Sequence, residues 1–304
     1  MFEGFFFFAL GLIFGSLGNL IIFRLHTSES LFWGGSKCLL LKFSDLERLG
    51  NPISKLVSEI NMEEIIVFIF GLILGSFANL IIFRLHTGEK ILFARSKCLN
   101  CRKTLKWFEL IPVASFIFQK GRCRNCETRL SLQYPAVELL SGLLFLFIWL
   151  KFLTYSPEFF FSLAFWFFLL LASIYDLKHQ ILPEEFILSA LILAISAKFF
   201  FFKDIFFPSF ATGFAIFAFF VLLWFITKKQ GIGFGDAKMA LALGIFLGFP
   251  KAVFGLIFSF WLGALVGIYL ILFKKAGMKT PIPFGPFLFL GNFIAFILNL
   301  PVVF

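Results

Sequence analysis

Long stretches of almost entirely apolar residues run through the chain, separated by short charged or proline-containing segments. Most of these stretches approach the 20 or so residues that a helix needs to cross the hydrocarbon core of a bilayer. The pattern predicts an all-α polytopic membrane protein with about eight transmembrane helices. The predicted spans cover residues 64–83, 136–154, 158–175, 184–202, 206–227, 237–250, 251–273 and 284–303.

Composition supports a membrane protein. The chain has 304 residues, of which 60% are hydrophobic and only 14% are charged, and its mean hydropathy is +0.98. The net charge of +10 would suggest nucleic acid binding in a soluble protein. In a polytopic membrane protein it reflects the basic bias of cytoplasmic loops, so we expect no nucleic acid partner. The apolar stretch 5–23 lacks a preceding basic residue and a small-residue cleavage site, so we expect no cleavable signal peptide.

The orientation follows from the basic residues. Segment 84–130 is rich in Lys and Arg, which places it on the cytoplasmic side. When crossings are counted from there, the basic pairs 228–229 and 274–275 also fall inside. The same count puts Asp176, at the end of one span, and Asp236, at the start of another, on the cytoplasmic side.

The front of the chain contains a partial duplication. Residues 11–39 match 71–99 at a constant offset of 60, but Leu41 stands where the second copy has Cys101. The first copy has no span that crosses back, so its extra N-terminal helix inserts in the other direction, lies in the interface or is absent from the mature chain. We predict four parts: a dispensable partial duplicate, a first core helix, a cytoplasmic zinc-binding segment and a transmembrane catalytic domain. Their bounds are 1–61, 62–83, 84–135 and 136–304.

Four of the five cysteines form two C-x-x-C pairs in the basic segment. Cys98 and Cys101 are separated by 21 residues from Cys123 and Cys126. Two such pairs can place four thiolates around one tetrahedral Zn²⁺, and a site filled by four sulfur ligands is structural rather than catalytic. The alternative is two reduced or redox-active pairs without metal. Cys38 has no partner of this kind.

Asp176 and Asp236 are the candidate catalytic residues. A carboxylate at the edge of the hydrocarbon is costly, and such a residue commonly marks a functional site. Pro183 follows Asp176 at a tight reversal, and Asp236 follows three alternating glycines in segment 231–236. Two acids brought together can work as general acid and general base on water and a peptide carbonyl. Individually, Asp236 can cap a helix and Asp176 can pair with Lys178.

Three other polar residues lie near these segments. Glu138 falls inside an apolar span, where it is either structural or lines a substrate or cofactor pocket. Lys238 can tune a carboxylate or contact lipid phosphate. His179 is interpreted as a solvated loop residue.

Taken together, these motifs resemble those of the type IV prepilin peptidases, also called leader peptidase/N-methyltransferases. The resemblance covers about residues 64–304. It rests on Gly75-Ser76-Phe77 with Asn79, Arg84-Leu85, the four cysteines, Tyr134-Pro135 with Glu138, Asp176 with Leu182-Pro183, the segment from Gly233 to Lys238, and Pro283-Phe284-Gly285-Pro286-Phe287.

The resemblance implies a bifunctional enzyme of the inner membrane that acts at the cytoplasmic face on prepilins and pseudopilins of type IV pilus or type II secretion systems. It would cut the leader with Asp176 and Asp236 and then methylate the new N-terminus using S-adenosyl-L-methionine. The four cysteines align with the family's zinc-binding domain. No residues are assigned to the methyl donor, and the pilins processed and the oligomeric state stay open.

Two departures and two alternatives accompany this interpretation. The family has no duplicated front end, and it often has Pro where this chain has His86 and Leu99. An alternative enzyme is a GxGD membrane peptidase without methyltransferase activity, such as a presenilin-like or archaeal preflagellin peptidase. A non-enzymatic alternative is a zinc-containing membrane scaffold or transporter.

Overall fold

The computed structural model describes residues 61–85, 96–98, 100–228, 232–274 and 281–298. The predicted partial duplicate at 1–61, with its extra helix and Cys38, lies outside these residues apart from residue 61. The described part is helical, with two isolated β-bridges near the cysteines.

The described residues contain nine α-helices and two short 3₁₀ segments. The α-helices are α1 Met62–Arg84, α2 Ala114–Phe118, α3 Gln133–Phe152, α4 Pro157–His179, α5 Glu184–Phe201, α6 Phe206–Ile226, α7 Phe234–Leu247, α8 Lys251–Lys274 and α9 Gly285–Ile297. The 3₁₀ segments are Trp107–Leu110 and Lys203–Ile205.

Each predicted apolar stretch overlaps one α-helix, but eight spans are not confirmed. Five segments of the described chain are long and apolar enough to cross a membrane: α1, α3, α4, α8, and α6 together with the 3₁₀ turn before it. Helix α9 is apolar but has only 13 residues. Helix α7 has 14 residues, which extend about 21 Å, less than the roughly 30 Å of hydrocarbon. Helix α5 carries Glu184, Glu185 and Lys198 in its 18 residues.

The most buried helices, α4, α7 and α9, meet around Trp166. The Trp166 ring contacts Phe246 of α7 and Phe293 of α9 at centroid distances of 6.1 and 5.0 Å. Phe165 stacks on Phe246 at 3.9 Å. Aromatic side chains bury large areas and interlock edge to face. These three helices therefore form the core that holds both aspartate-bearing segments.

Helices α1 and α3 pack unusually closely. A Cβ atom at Gly75 would lie 2.7 Å from the Cα of Glu138, and one at Gly71 would lie 2.8 Å from the Cα of Gly142. Small residues allow this approach, which is how helices gain packing contacts in lipid. Asn79 adds a hydrogen bond from its Nδ2 to the backbone oxygen of Tyr134, at 3.0 Å.

The outward faces are apolar. Helices α6 and α8 expose large side chains along their length, among them Phe207, Phe225, Trp261 and Leu265. Water would penalise so much exposed apolar surface, whereas lipid tails do not. The chain is a multi-pass membrane protein.

Candidate active site and metal centre

Asp176 lies in the last turn of α4 and is only 5% exposed. Helix α4 ends because Gln180 adopts a left-handed conformation with φ of 54°. The chain then reverses, and Pro183 caps the start of α5. The aspartate is therefore fixed at one end of the helix bundle rather than in its middle.

Asp236 is the third residue of α7 and is 6% exposed. Its Oδ2 atom accepts a hydrogen bond from the backbone N–H of Gly233 at 3.0 Å. This contact caps the helix, as expected for an acidic side chain in a first turn. Its Oδ1 atom is buried and has no hydrogen-bond partner among the described residues. Oδ2 of Asp236 thus caps the helix, and Oδ1 remains able to accept a hydrogen bond from a bound molecule.

The structure brings the two aspartates together. Both aspartates lie around Leu182, because Gly285, which hydrogen-bonds to Asp176, and Gly235, which precedes Asp236, each approach this leucine. The Oδ2 atom of Asp176 accepts a hydrogen bond from the backbone N–H of Gly285 at 3.1 Å. Gly285 is the first residue of α9, and Asp236 lies in the first turn of α7. Two helix N-termini therefore meet the acid pair, and their partial positive charges favour carboxylates.

Two glycines and Leu182 set the spacing of this site. A Cβ atom at Gly285 would lie 2.7 Å from Oδ2 of Asp176 and 3.1 Å from Cδ2 of Leu182. A Cβ atom at Gly235 would lie 3.0 Å from the Cβ of the same leucine. Leu182 thus packs between the starts of α7 and α9, and both glycines are needed for the close approach.

The basic residues that follow the two aspartates in sequence each contact another side chain. Lys238 forms an ion pair with Glu184, which joins the first turn of α7 to the first turn of α5. The Nζ of Lys178 lies 3.8 Å from the ring centre of Phe83. His179 stacks on Tyr175 with ring centres 4.3 Å apart. The sequence did not predict the partner of Lys238.

Glu138 links the membrane helices to residues 96–132, which contain the four cysteines and are called the cysteine segment from here on. It is buried in α3, and its Oε2 atom accepts a hydrogen bond from the backbone N–H of Val113 at 2.7 Å. Val113 has φ of 60°, a strained value for a β-branched residue. The contacts of Glu138 support the structural interpretation.

The four cysteines converge as their spacing predicted. The Sγ atoms of Cys98, Cys101, Cys123 and Cys126 all lie within 4.8 Å of one another, and none of the four is in a disulfide. Each pair forms the same turn: the N–H groups of Arg102 and Glu127 donate to the carbonyls of Cys98 and Cys123, both at 2.9 Å. This cluster can hold a metal ion.

The donor set fits zinc. The Cys98 and Cys126 sulfur atoms are 3.8 Å apart, which matches the edge of about 3.8 Å of a tetrahedron with Zn–S bonds of about 2.3 Å. Hydrogen bonds with the side chain and backbone of Thr128 lower the pKa of Cys126 to about 6, whereas burial and the neighbouring thiols of Cys123 and Cys101 raise the pKa of Cys98 to about 11. A thiolate, rather than a thiol, is the form that binds metal.

Sequence reasoning singled out both aspartates and all four cysteines, but it gave Gly285 and Leu182 no role at the site. Both residues stand in short motifs quoted above, Leu182-Pro183 and Pro283-Phe284-Gly285-Pro286-Phe287. A glycine between two prolines at a helix start was a usable signal of close backbone approach. The residue that it approaches, 109 positions away, was not visible in the motif.

The fold and site define a multi-pass helical membrane protein with a buried acid pair at helix termini and a separate four-thiol metal centre. Residues 163–268 match the sequence model of the type IV leader peptidase family, and residues 69–152 match that of the bacterial Peptidase A24 N-terminal domain. The chain belongs to the type IV leader peptidase family and is a membrane enzyme.

Curated relatives share most of its length. The prepilin leader peptidase/N-methyltransferase of Bacillus subtilis (strain 168) is 34% identical over 232 residues, which cover 76% of this chain and 93% of the relative. Proteins of the same name from Myxococcus xanthus (strain DK1622) and Pseudomonas putida are 33% and 29% identical. These matches cover 71% and 75% of this chain, and 66% and 88% of the respective relatives. No solved structure matches the chain.

Proposed function

We propose that this chain is a bifunctional prepilin-processing enzyme that removes the leader peptide and then N-methylates the new N-terminus. The names of the curated relatives combine both activities, which favours this function over a peptidase without methyltransferase activity. Prepilins and pseudopilins are the proposed substrates. The described bundle, rather than residues 1–61, carries the residues that the peptidase step needs.

Asp176 and Asp236 are the proposed catalytic pair. One carboxylate accepts a proton from water, and the oxygen of that water adds to the scissile carbonyl carbon. The other, protonated, carboxyl gives its proton to the carbonyl oxygen. When the C–N bond breaks, the proton taken from water passes to the leaving amine, the C=O bond re-forms, and the proton of that hydroxyl returns to the second carboxylate. The two groups act as one coupled pair, so acid and base roles belong to the pair.

The observation that carries the proposal is the shared location of two buried carboxyl groups at helix termini. Each has one oxygen held by a glycine N–H, at 3.1 Å for Asp176 and 3.0 Å for Asp236. A buried oxygen such as Oδ1 of Asp236 requires a hydrogen-bond partner. The attacking water supplies that partner in the proposed reaction, and the fixed second oxygen holds the carboxylate in position.

Candidate ligands are identified for Zn²⁺ but not for the methyl donor. Zn²⁺ held by Cys98, Cys101, Cys123 and Cys126 would be structural, since four sulfur ligands leave no open position. S-adenosyl-L-methionine is the proposed methyl donor, but the described residues do not define its site. Glu138, a buried carboxylate next to the cysteine segment, already accepts a hydrogen bond from the backbone N–H of Val113.

We place the enzyme in the inner membrane with its acid pair at the cytoplasmic face. The basic segment 84–130 supports this orientation because lysine and arginine favour the cytoplasmic side. The proposed layout has a first core helix at 62–83, a zinc-binding segment at 84–135 and a catalytic domain at 136–304. A substrate whose apolar helix stays in the bilayer would reach the aspartates from the side.

Co-expression with a prepilin tests the proposal. Asp176→Asn and Asp236→Asn should each abolish leader removal, because an amide can neither accept the proton from water nor donate one as an acid. Asp204→Asn, at an exposed aspartate in the 3₁₀ turn before α6, is the matched control and should cleave normally. Product mass reads cleavage and methylation separately.

Normal cleavage by either active-site variant, with membrane insertion intact, would overturn the peptidase assignment. Cleaved but unmethylated product from the unaltered enzyme would remove the methyltransferase half alone.

A further inference from the structure

The cysteine segment carries an apolar surface that is exposed among the described residues. Trp107 is 78% exposed and Phe118 is 79% exposed. The 3₁₀ segment and α2 on which they lie pack against each other, so their side chains belong to one region. We call this region the apolar patch. It consists of Trp107, Leu110, Ile111, Ile117 and Phe118, all of them exposed.

The apolar patch is fixed close to the end of the membrane helices. Val113 lies between its two halves, and its N–H donates to Glu138 of α3 at 2.7 Å. Glu138 stands in the second turn of α3, a helix long and apolar enough to span a membrane. Leu132, just before that helix, and Leu139 within it are also exposed. The patch is therefore tied to the start of a membrane helix that exposes apolar side chains of its own.

The surroundings of the patch are strongly cationic. Between residues 96 and 132 the chain has eight basic side chains and two acidic ones. Lys106 and Lys120 immediately flank the patch, and both are exposed. The segment stays cationic even after the negative charge of a zinc tetrathiolate is subtracted. Basic residues beside exposed tryptophan and aliphatic side chains match an interface of anionic headgroups above acyl chains.

We infer that the apolar patch is a membrane-surface anchor that inserts into the interface of a leaflet with anionic headgroups and holds the cysteine segment against the bilayer. Charge complementarity selects the occupant, because a basic polypeptide would be repelled by the same lysines and arginines. Such anchoring would hold the contact between Glu138 and Val113 in a fixed orientation relative to the bilayer. This inference does not depend on the catalytic roles of the aspartates.

Site-specific photocrosslinking tests the anchor in the full-length protein. The full-length variant with p-benzoylphenylalanine in place of Phe118 is reconstituted in bilayers of phosphatidylglycerol and phosphatidylethanolamine. It is then illuminated and analysed by mass spectrometry. We expect phospholipid adducts at position 118. Leu143 of α3, which is exposed on a membrane helix, is the positive control for the same replacement. Thr104, exposed and polar in the cysteine segment, is the matched negative control.

A lack of lipid adducts at position 118, with adducts at 143, would overturn the inference. A polypeptide adduct at 118 in native membranes would overturn it as well, since it would show a protein occupant.

A second measurement tests whether the apolar patch prefers anionic lipid. The adduct yield at position 118 should rise several-fold when phosphatidylcholine bilayers are replaced by bilayers containing phosphatidylglycerol. Reversing Lys106→Glu and Lys120→Glu together should remove that rise. Equal yields in the two bilayers would contradict an anionic-lipid anchor. Emission of Trp107, read as the difference between the unaltered protein and Trp107→Phe, should be quenched by brominated acyl chains.

Discussion

The backbone N–H of Gly285 donates a hydrogen bond to the Oδ2 atom of Asp176 over 3.1 Å, linking residues 109 positions apart. The contact places the start of α9 against the end of α4, on the side from which Asp236 of α7 also approaches. A helix N-terminus stabilises a nearby carboxylate through its first N–H groups and its dipole. Gly285 is therefore a positioning residue for the acid pair.

Gly285→Ala should reduce leader cleavage by about 100-fold, since a Cβ atom would lie 2.7 Å from Oδ2 of Asp176 and displace the carboxylate. The loss should fall on kcat rather than on KM, because the substituted atom meets the catalytic group. Gly267→Ala is the matched control: a Cβ atom there has no neighbour within 4 Å. Equal rates for Gly285→Ala and the unaltered enzyme would contradict the positioning role.

Zinc should be lost from the cysteine segment when one ligand is removed. Cys123→Ser should lower the zinc content well below one ion per chain and make the segment sensitive to protease, because metal binding and folding of such small sites are coupled. Metal content by mass spectrometry and limited proteolysis measure the two effects. Cys38→Ser, which changes the one cysteine outside the two C-x-x-C pairs, should keep its zinc. A full zinc content in Cys123→Ser would refute four-thiolate ligation.

The ion pair between Glu184 and Lys238 should contribute little. Its side chains are 78% and 35% exposed, and exposed pairs are worth about 1 kcal/mol or less. Glu184→Lys or Lys238→Glu alone should slow cleavage by no more than several-fold, and the double reversal should restore it. A double-mutant cycle on the unfolding free energy and on the cleavage rate measures the coupling. Complete loss of activity in either single variant would instead make the pair part of the catalytic machinery.

Several features were readable from the sequence because they depend on local chemistry. The apolar stretches predicted the long helices, since a backbone in lipid has to satisfy its hydrogen bonds within each helix. The spacing of Cys98, Cys101, Cys123 and Cys126 predicted their cluster, since each C-x-x-C turn is a local unit. The number of spans was not predictable in the same way. Hydropathy does not show that α7 and α9 are short, buried helices.

The sequence by itself determined which residues are acidic, which thiols pair in turns and which segments avoid water, because composition and spacing act over a few residues. Only the tertiary structure decided that Gly285 holds Asp176 and that Leu182 packs between Gly285 and Gly235, which places both aspartates around the same leucine. It also decided that Glu138 holds the strained junction at Val113. These relationships depend on how helices distant in the chain pack, and packing is governed by the shapes of whole surfaces rather than by a local pattern.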